Sequence, residues 1–155
     1  MTITSDPANR ARLEPPDAGT DGVLIWDTAG VVLEHLIVVG RGMTGATKAG
    51  VAAMTDNGHY LGLTFRDLEV SGFKNGITIL GWGGTTYGFG DVLIEDCNFH
   101  DNLSAGGQTW AESIGGHRNV TVRRCRFSNN PGDPASTKNS GSGFVFGGVI
   151  GGLIE

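Results

Sequence analysis

The segment DVLIEDCNFHDN, from Asp91 to Asn102, is rewritten 28 positions later as NVTVRRCRFSNN, from Asn119 to Asn130, without a gap. Reduced to its apolar positions it reads apolar-x-apolar-x-x-apolar-x-apolar. Val92, Ile94, Cys97 and Phe99 fit the pattern, and so do Val120, Val122, Cys125 and Phe127. Two upstream copies satisfy it as well, Val31-Leu33-Leu36-Val38 and Leu63-Phe65-Leu68-Val70. The steps between first positions (Val31 to Leu63, to Val92, to Val120) are 32, 29 and 28 residues. A fifth copy begins in the final GGLIE. A chain built this way folds by stacking its copies, because no single copy can enclose its own apolar face.

Within each copy the apolar residues alternate at period two, the mark of a strand with one buried face. At one point two residues, rather than one, separate the apolar positions. The extra residue turns the chain while keeping both strands' apolar residues inward. A second motif, Gly-apolar-x-apolar, recurs between the copies as GVLI at Gly22, GVAA at Gly50, GITI at Gly76 and GFVF at Gly143. A degenerate version, GGQT at Gly106, is placed by order. The spacing therefore predicts an all-β fold: a parallel β-helix, or solenoid, of about five rungs with three short strands per rung, in one domain over residues 1–155. Rungs should lie ~4.8 Å apart. Gly and Asn at the bends suit backbone with φ > 0. A β-sandwich would need no constant register between apolar columns.

The segments GITI, DVLIEDCNFHDN, NVTVRRCRFSNN and GFVFGGVIGGLIE resemble the right-handed parallel β-helix repeat proteins of the pectate-lyase-like superfamily, and the resemblance covers nearly the whole chain. It implies a right-handed solenoid, a secreted or cell-surface location, and action on an extended polysaccharide by a lyase or a glycoside hydrolase. A shared fold does not fix the reaction. The start, MTITSDPANR, has neither the basic nor the apolar region of a secretion signal. TITSDPANRARLE reads as strand, turn and strand, as if laid on an existing rung, and the last copy stops halfway. An internal fragment of a longer solenoid is the expectation.

Other classes are disfavoured by composition. A net charge of −5 with 17% charged residues offers no basic face for nucleic-acid phosphates. No apolar run approaches the ~20 residues of a membrane span. Two Cys outside any CxxC make neither a disulfide framework nor a zinc site. Cys97 and Cys125 share one skeleton position with Leu68 and Leu36, so they are read as an inward column of small buried hydrophobes. Asn102 and Asn130 align as a hydrogen-bonded stack. His35, Asp67, Asp96 and Arg124 align at the extra residue, an exposed bend where an Asp96–Arg124 pair would contribute ~0–1 kcal/mol. The partners and oligomeric state of such a solenoid are not written in its repeats.

Function in such scaffolds sits on strand faces and long loops. The long loops are Gly40 to Ala49, Gly81 to Gly90 and Asn130 to Ser142. If Val23 and Ile25 point inward, Leu24 and Trp26 point outward. By the same parity Ala52 and Met54, Thr78 and Leu80, and Gln108 and Trp110 point outward, with Trp82 two residues past Leu80. Trp26, Trp82, Trp110 and Gln108 thus form a candidate substrate-binding face, since aromatic rings stack on sugar rings and a contiguous apolar patch marks a binding surface. Asp27, Asp56 and Glu112 gather at its edge, with His117 and Arg118 beyond, as candidate catalytic residues. Two carboxylates suit glycoside hydrolysis. A lyase would instead use a base such as Arg118, His117, Lys48 or Lys138, with Ca²⁺ held by carboxylates as its cofactor. Two further readings stay open: a non-catalytic glycan-binding or adhesin module, and a structural solenoid whose Trp rings are covered.

Overall fold

A computed structural model describes residues 1–136 and 138–155. Among them are fourteen strands and no helix: β1 (Thr2–Thr4), β2 (Ala11–Leu13), β3 (Val23–Trp26), β4 (Val31–Val39), β5 (Ala49–Thr55), β6 (His59–Ser71), β7 (Asn75–Gly81), β8 (Gly88–Glu95), β9 (Asn98–His100), β10 (Ala105–Ala111), β11 (His117–Arg123), β12 (Arg126–Ser128), β13 (Ser142–Val145) and β14 (Val149–Ile154). The larger sheet runs β1-β4-β6-β8-β11-β14, with β2 on β4 and with β9 joining β6 to β12. The smaller sheet runs β3-β5-β7-β10-β13. Each pairing between these strands is parallel and joins equivalent residues of neighbouring repeats, so the chain is a β-solenoid of about five turns.

The apolar skeleton becomes columns parallel to the axis. Leu33 pairs with Phe65, Phe65 with Ile94 and Ile94 with Val122. Val38, Val70, Phe99 and Phe127 form another column, in which the last two rings stack at 5.5 Å. The Leu68 and Cys97 side chains are buried in the column that Cys125, half-buried, continues. Both Cys are free thiols. TITSDPANRARLE lays β1 on the first half of β4 and β2 on the second, as the alternation predicts. The GGLIE copy lies on β11 with Gly152 beside Val120. Gly152 continues that apolar column at an exposed position, where a Cβ would meet the Phe146 ring at 3.2 Å.

The bends carry the expected glycines and asparagines with φ > 0, among them Gly30, Gly62, Gly72, Asn119 and Asn129. The motif glycines Gly22, Gly50, Gly76 and Gly106 are a different case: they are inward positions with no room for a side chain. A Cβ on Gly50 would stand 2.1 Å from Val70 Cγ1 and 2.8 Å from the Gly76 carbonyl oxygen. Gly22, Gly76 and Gly106 are crowded in the same way by Val38, Phe99 and Phe127. Left-handed backbone also falls on the extra residue of each skeleton: His35 (φ 58°), Asp67 (47°), Asp96 (55°) and Arg124 (50°). The strain of that conformation is met by side-chain bonds between rungs. His35 Nδ1 lies 2.9 Å from Asp67 Oδ2, and Arg124 Nε donates to Asp96 Oδ1 at 2.7 Å. Asn102 and Asn130 form the expected stack, with Asn102 Nδ2 donating to Asn130 Oδ1 at 3.2 Å. Phe73 N–H donates to Asn102 Oδ1 at 3.1 Å, so the stack also closes the turn into the next rung.

Candidate functional site

The smaller sheet carries the site. Its register sets Trp26 beside Met54, Met54 beside Leu80 and Leu80 beside Trp110. Strand parity points all four away from the core. Trp26 and Trp110 are 43% and 44% exposed, and Met54 and Leu80 between them are partly covered. Three rung steps separate the two Trp, roughly 14 Å along the axis. Trp82 is not a third open ring: half-buried, it meets Trp26 edge-on with centroids 5.4 Å apart and holds that indole in place.

The next outward column, two residues back along each strand, is Leu24-Ala52-Thr78-Gln108. Leu24 is exposed, yet Ala52 and Thr78 are buried although they face outward. Thr78, with Ala49, Asn75 and Gln108, lies on the floor of a groove of about 300 Å³. Met54 and Leu80 line one side of it, and Asp21, Thr47, Lys48 and Lys74 line the other. The loop from Gly40 to Ala49 supplies Thr47 and Lys48, so it serves as a groove wall. Asp133, in the loop from Asn130 to Ser142, reaches Lys74 Nζ at 3.6 Å.

Two polar atoms at this groove have no partner among the described residues, the Asn75 Oδ1 and the Thr78 Oγ1. Their register explains why. Asn75 stands between Ala49 and Ala105, and Thr78 between Ala52 and Gln108. Asn102 and Asn130, by contrast, satisfy each other. Sequence reading passed over Asn75 and Thr78 as site residues. The available signal was a polar residue beside alanine on a neighbouring rung, Ala49 and Ala105 for Asn75 and Ala52 for Thr78, which becomes visible only once the register is known. A smaller hollow of about 190 Å³ lies by Phe127–Asn130 and Gly141–Gly143 and carries no charged side chain.

The predicted acids lie along one edge of the Trp column. Asp27 Oδ2 accepts from Asn57 Nδ2 at 3.0 Å, and Tyr60 donates to Asn57 Oδ1 at 2.6 Å. Asp27 Oδ1 is buried and unpartnered. Asp56 is exposed. Glu112 Oε1 accepts from Gly83 N–H at 3.0 Å. One residue past the paired strands, Asp56, Trp82 and Glu112 follow each other on successive rungs. The Trp82 rung therefore separates these two acids by roughly 10 Å of axis. No cluster of three or more His, Cys, Asp or Glu able to hold a metal ion occurs among the described residues.

The basic candidates scatter. The His117 ring is fully buried, away from the Trp face. Its Nδ1 accepts from Phe89 N–H at 3.0 Å, which leaves Nε2–H to donate to the Trp110 carbonyl at 2.8 Å. Burial holds its pKa below the usual His value. Neither ring nitrogen is left for a substrate, so His117 is a core histidine that fixes the backbone under Trp110. Arg118 is exposed and donates to the Gly115 carbonyl at 3.2 Å. Lys48 Nζ lies 3.9 Å from Asp21 Oδ2 on the groove wall, and Lys138 is exposed in the last long loop.

No family model, no curated protein and no solved structure matches this chain.

Proposed function

We propose that this solenoid, of the pectate-lyase-like kind its repeat segments resemble, binds an extended polysaccharide along its smaller sheet, outside the cell or at its surface. The observation that carries this reading is the in-register line Trp26-Met54-Leu80-Trp110, two open indoles joined by a partly covered apolar strip beside a polar groove. Indole faces take the apolar faces of sugar rings, and Gln108 and the groove groups supply hydrogen bonds to hydroxyls. The strip runs along the solenoid axis, so the glycan lies along that axis. The test is tryptophan fluorescence titrated with oligosaccharides of increasing length. Quenching or a blue shift that Trp26→Ala and Trp110→Ala each weaken supports the reading; an unchanged spectrum across a broad glycan panel defeats it.

Turnover is a second reading, favoured by one feature. Asp27 keeps a buried, unpartnered carboxylate oxygen next to Trp26. A carboxyl group directly after Trp26, at the edge of the binding face, suits proton transfer to or from a sugar if a side-chain rotation brings that oxygen to the surface. New reducing ends, with or without unsaturated-product absorbance and with or without Ca²⁺, separate hydrolase, lyase and pure binding. Asp27→Asn should abolish any product formed while leaving the fluorescence response intact.

A further inference from the structure

We infer that the groove beside the Trp line is a discrete subsite for one neutral sugar ring, read through a pair of adjacent hydroxyls. The inference rests on the proposed glycan-binding role of this face and specifies which sugar chemistry the face selects.

The first observation is the pair of unpartnered polar groups. Asn75 and Thr78 are each more than nine-tenths buried and both line the groove, yet Asn75 Oδ1 and Thr78 Oγ1 have no partner among the described residues. A buried polar group left unpaired is costly, and the surrounding sheet gives an easy way to avoid that cost. Alanine occupies the Asn75 column on both neighbouring rungs, at Ala49 and Ala105, and the Thr78 column at Ala52. At these three neighbouring positions a methyl group satisfies the packing, so the sheet itself does not require a polar side chain at Asn75 or Thr78. Rotation about the Thr78 Cα–Cβ bond exchanges hydroxyl and methyl, and rotation of the Asn75 amide exchanges oxygen and nitrogen, so both can turn hydrogen-bonding groups to the groove.

The second observation is the charge. Lys48 and Lys74 both border the groove, and each has a carboxylate close by, Asp21 at 3.9 Å and Asp133 at 3.6 Å. The wall is thus neutral, with donors and acceptors side by side. An anionic sugar would gain no net attraction here and would face Asp21. Two adjacent hydroxyls, each both donor and acceptor, match a Lys48–Asp21 pair at one end and Asn75 and Thr78 on the floor. The apolar edge formed by Met54 and Leu80 takes the ring's C–H face.

The experiment compares the full chain with Asn75→Ala, Thr78→Val and Trp110→Ala. Binding of neutral hexasaccharides (gluco-, xylo- and manno-configured) and of a galacturonate hexamer is measured by calorimetry, and Tm is measured without ligand. The expected result is tighter binding of a neutral hexamer than of the uronate, weakened about tenfold by Asn75→Ala or Thr78→Val. Both variants should melt at or above the parent temperature, because an unpartnered polar group has been removed. A fall in Tm would mean that these groups are structural and would overturn the inference whatever the binding data. Parent-like binding by both groove variants, with loss in Trp110→Ala, would overturn the subsite and leave the binding face standing. Preference for the uronate would overturn the neutral chemistry. Absence of binding to all four would sink both the face and its subsite.

Discussion

Arg66 Nε donates to Glu95 Oε1 at 2.7 Å, one rung away on the outer face of the larger sheet. Arg66 also reaches Glu34 at 3.3 Å, and Arg123 donates to Glu95 Oε2 at 2.8 Å, so a charge-alternating ladder Glu34-Arg66-Glu95-Arg123 runs up the solenoid. Arg124 adds a further bond to Glu95 at 2.8 Å. The Glu95 side chain is 4% exposed, whereas the arginines around it are 38–56% exposed. The buried member is therefore the anion, and its bonds tie three rungs together.

Acid should loosen this ladder. Burial alone would raise the Glu95 pKa, but the bonds and charges of Arg66 and Arg123 outweigh it and hold the group below its ordinary 4.5. A depressed carboxylate contributes stability that is complete above its unfolded pKa and is lost as pH falls through the folded value. Glu95→Gln should cost about 1–3 kcal/mol at pH 7. The gap between parent and variant should close as pH drops below 4.5. Urea unfolding from pH 7 to pH 3 measures it; a gap that persists undiminished at pH 3 contradicts the ladder's role.

His117 predicts a second, higher window. Burial lowers its pKa from 6.5, so the folded protein keeps the ring neutral while the unfolded chain takes up a proton. Stability from this group is complete above pH 6.5 and is lost as pH falls towards the lowered folded value. His117→Phe leaves Phe89 N–H and the Trp110 carbonyl without their partner, at a cost of about 1–3 kcal/mol for each group. It should also flatten the pH dependence below 6.5. The NMR titration of the His117 ring is the direct check: its midpoint should fall below 6.5, and a midpoint at or above that value contradicts the buried neutral ring.

The apolar skeleton made most of the solenoid legible. Period-two alternation fixed which residues enter the core, and the constant step fixed which residues stack. Those two facts gave the Leu33 and Val38 columns, the Asn102–Asn130 stack, the Asp96–Arg124 pair and the outward set of Trp26 and Trp110. The glycine motif was legible as a pattern but not as a cause, because the crowding at Gly50 comes from Val70 and the Gly76 carbonyl, one on the larger sheet and one on the next rung. The Glu34-Arg66-Glu95-Arg123 alternation was present in the repeat, just before the extra residue, yet its strength depends on Glu95 burial, which no single copy shows. His117 was misplaced because strand parity near the bend from Glu112 to Gly116 could not be counted from composition. Asn75 was passed over, and Thr78 was read only as an outward-facing residue, because their meaning lies in what their neighbours are not.

Two glycine substitutions should separate crowding from backbone strain. Gly50→Ala forces a methyl group into Val70, Phe73 and the Gly76 carbonyl, and overpacking of this kind typically costs about 1–3 kcal/mol or more. Gly30 has φ +65° and nothing within 4 Å of a built Cβ, so Gly30→Ala suffers only the left-handed backbone, roughly 1–2 kcal/mol. Adding Val70→Ala should not rescue Gly50→Ala, because the carbonyl of the next rung cannot retreat without breaking the sheet. Thermal melts of the three variants decide it, and full rescue by Val70→Ala would show that the side chain alone was the obstacle.

The stacked thiols give a last prediction, about the order in which they react. Cys97 is buried, its Sγ lies 3.1 Å from the Glu95 carbonyl, and burial pushes its pKa well above the ordinary thiol value. Cys125, on the next rung, is only half-buried. A thiol-specific disulfide reagent should therefore label one thiol of the native protein quickly, and peptide mapping should place the label on Cys125. Cys97 should react only at the rate of global unfolding, so its labelling should accelerate with urea in step with the loss of the folded signal. Cys125→Ser should remove the fast phase and leave the slow one. Equal, rapid labelling of both thiols without denaturant would mean that the column opens between these two rungs, and the core there would have to be looser than the Phe99–Phe127 stack beside it implies.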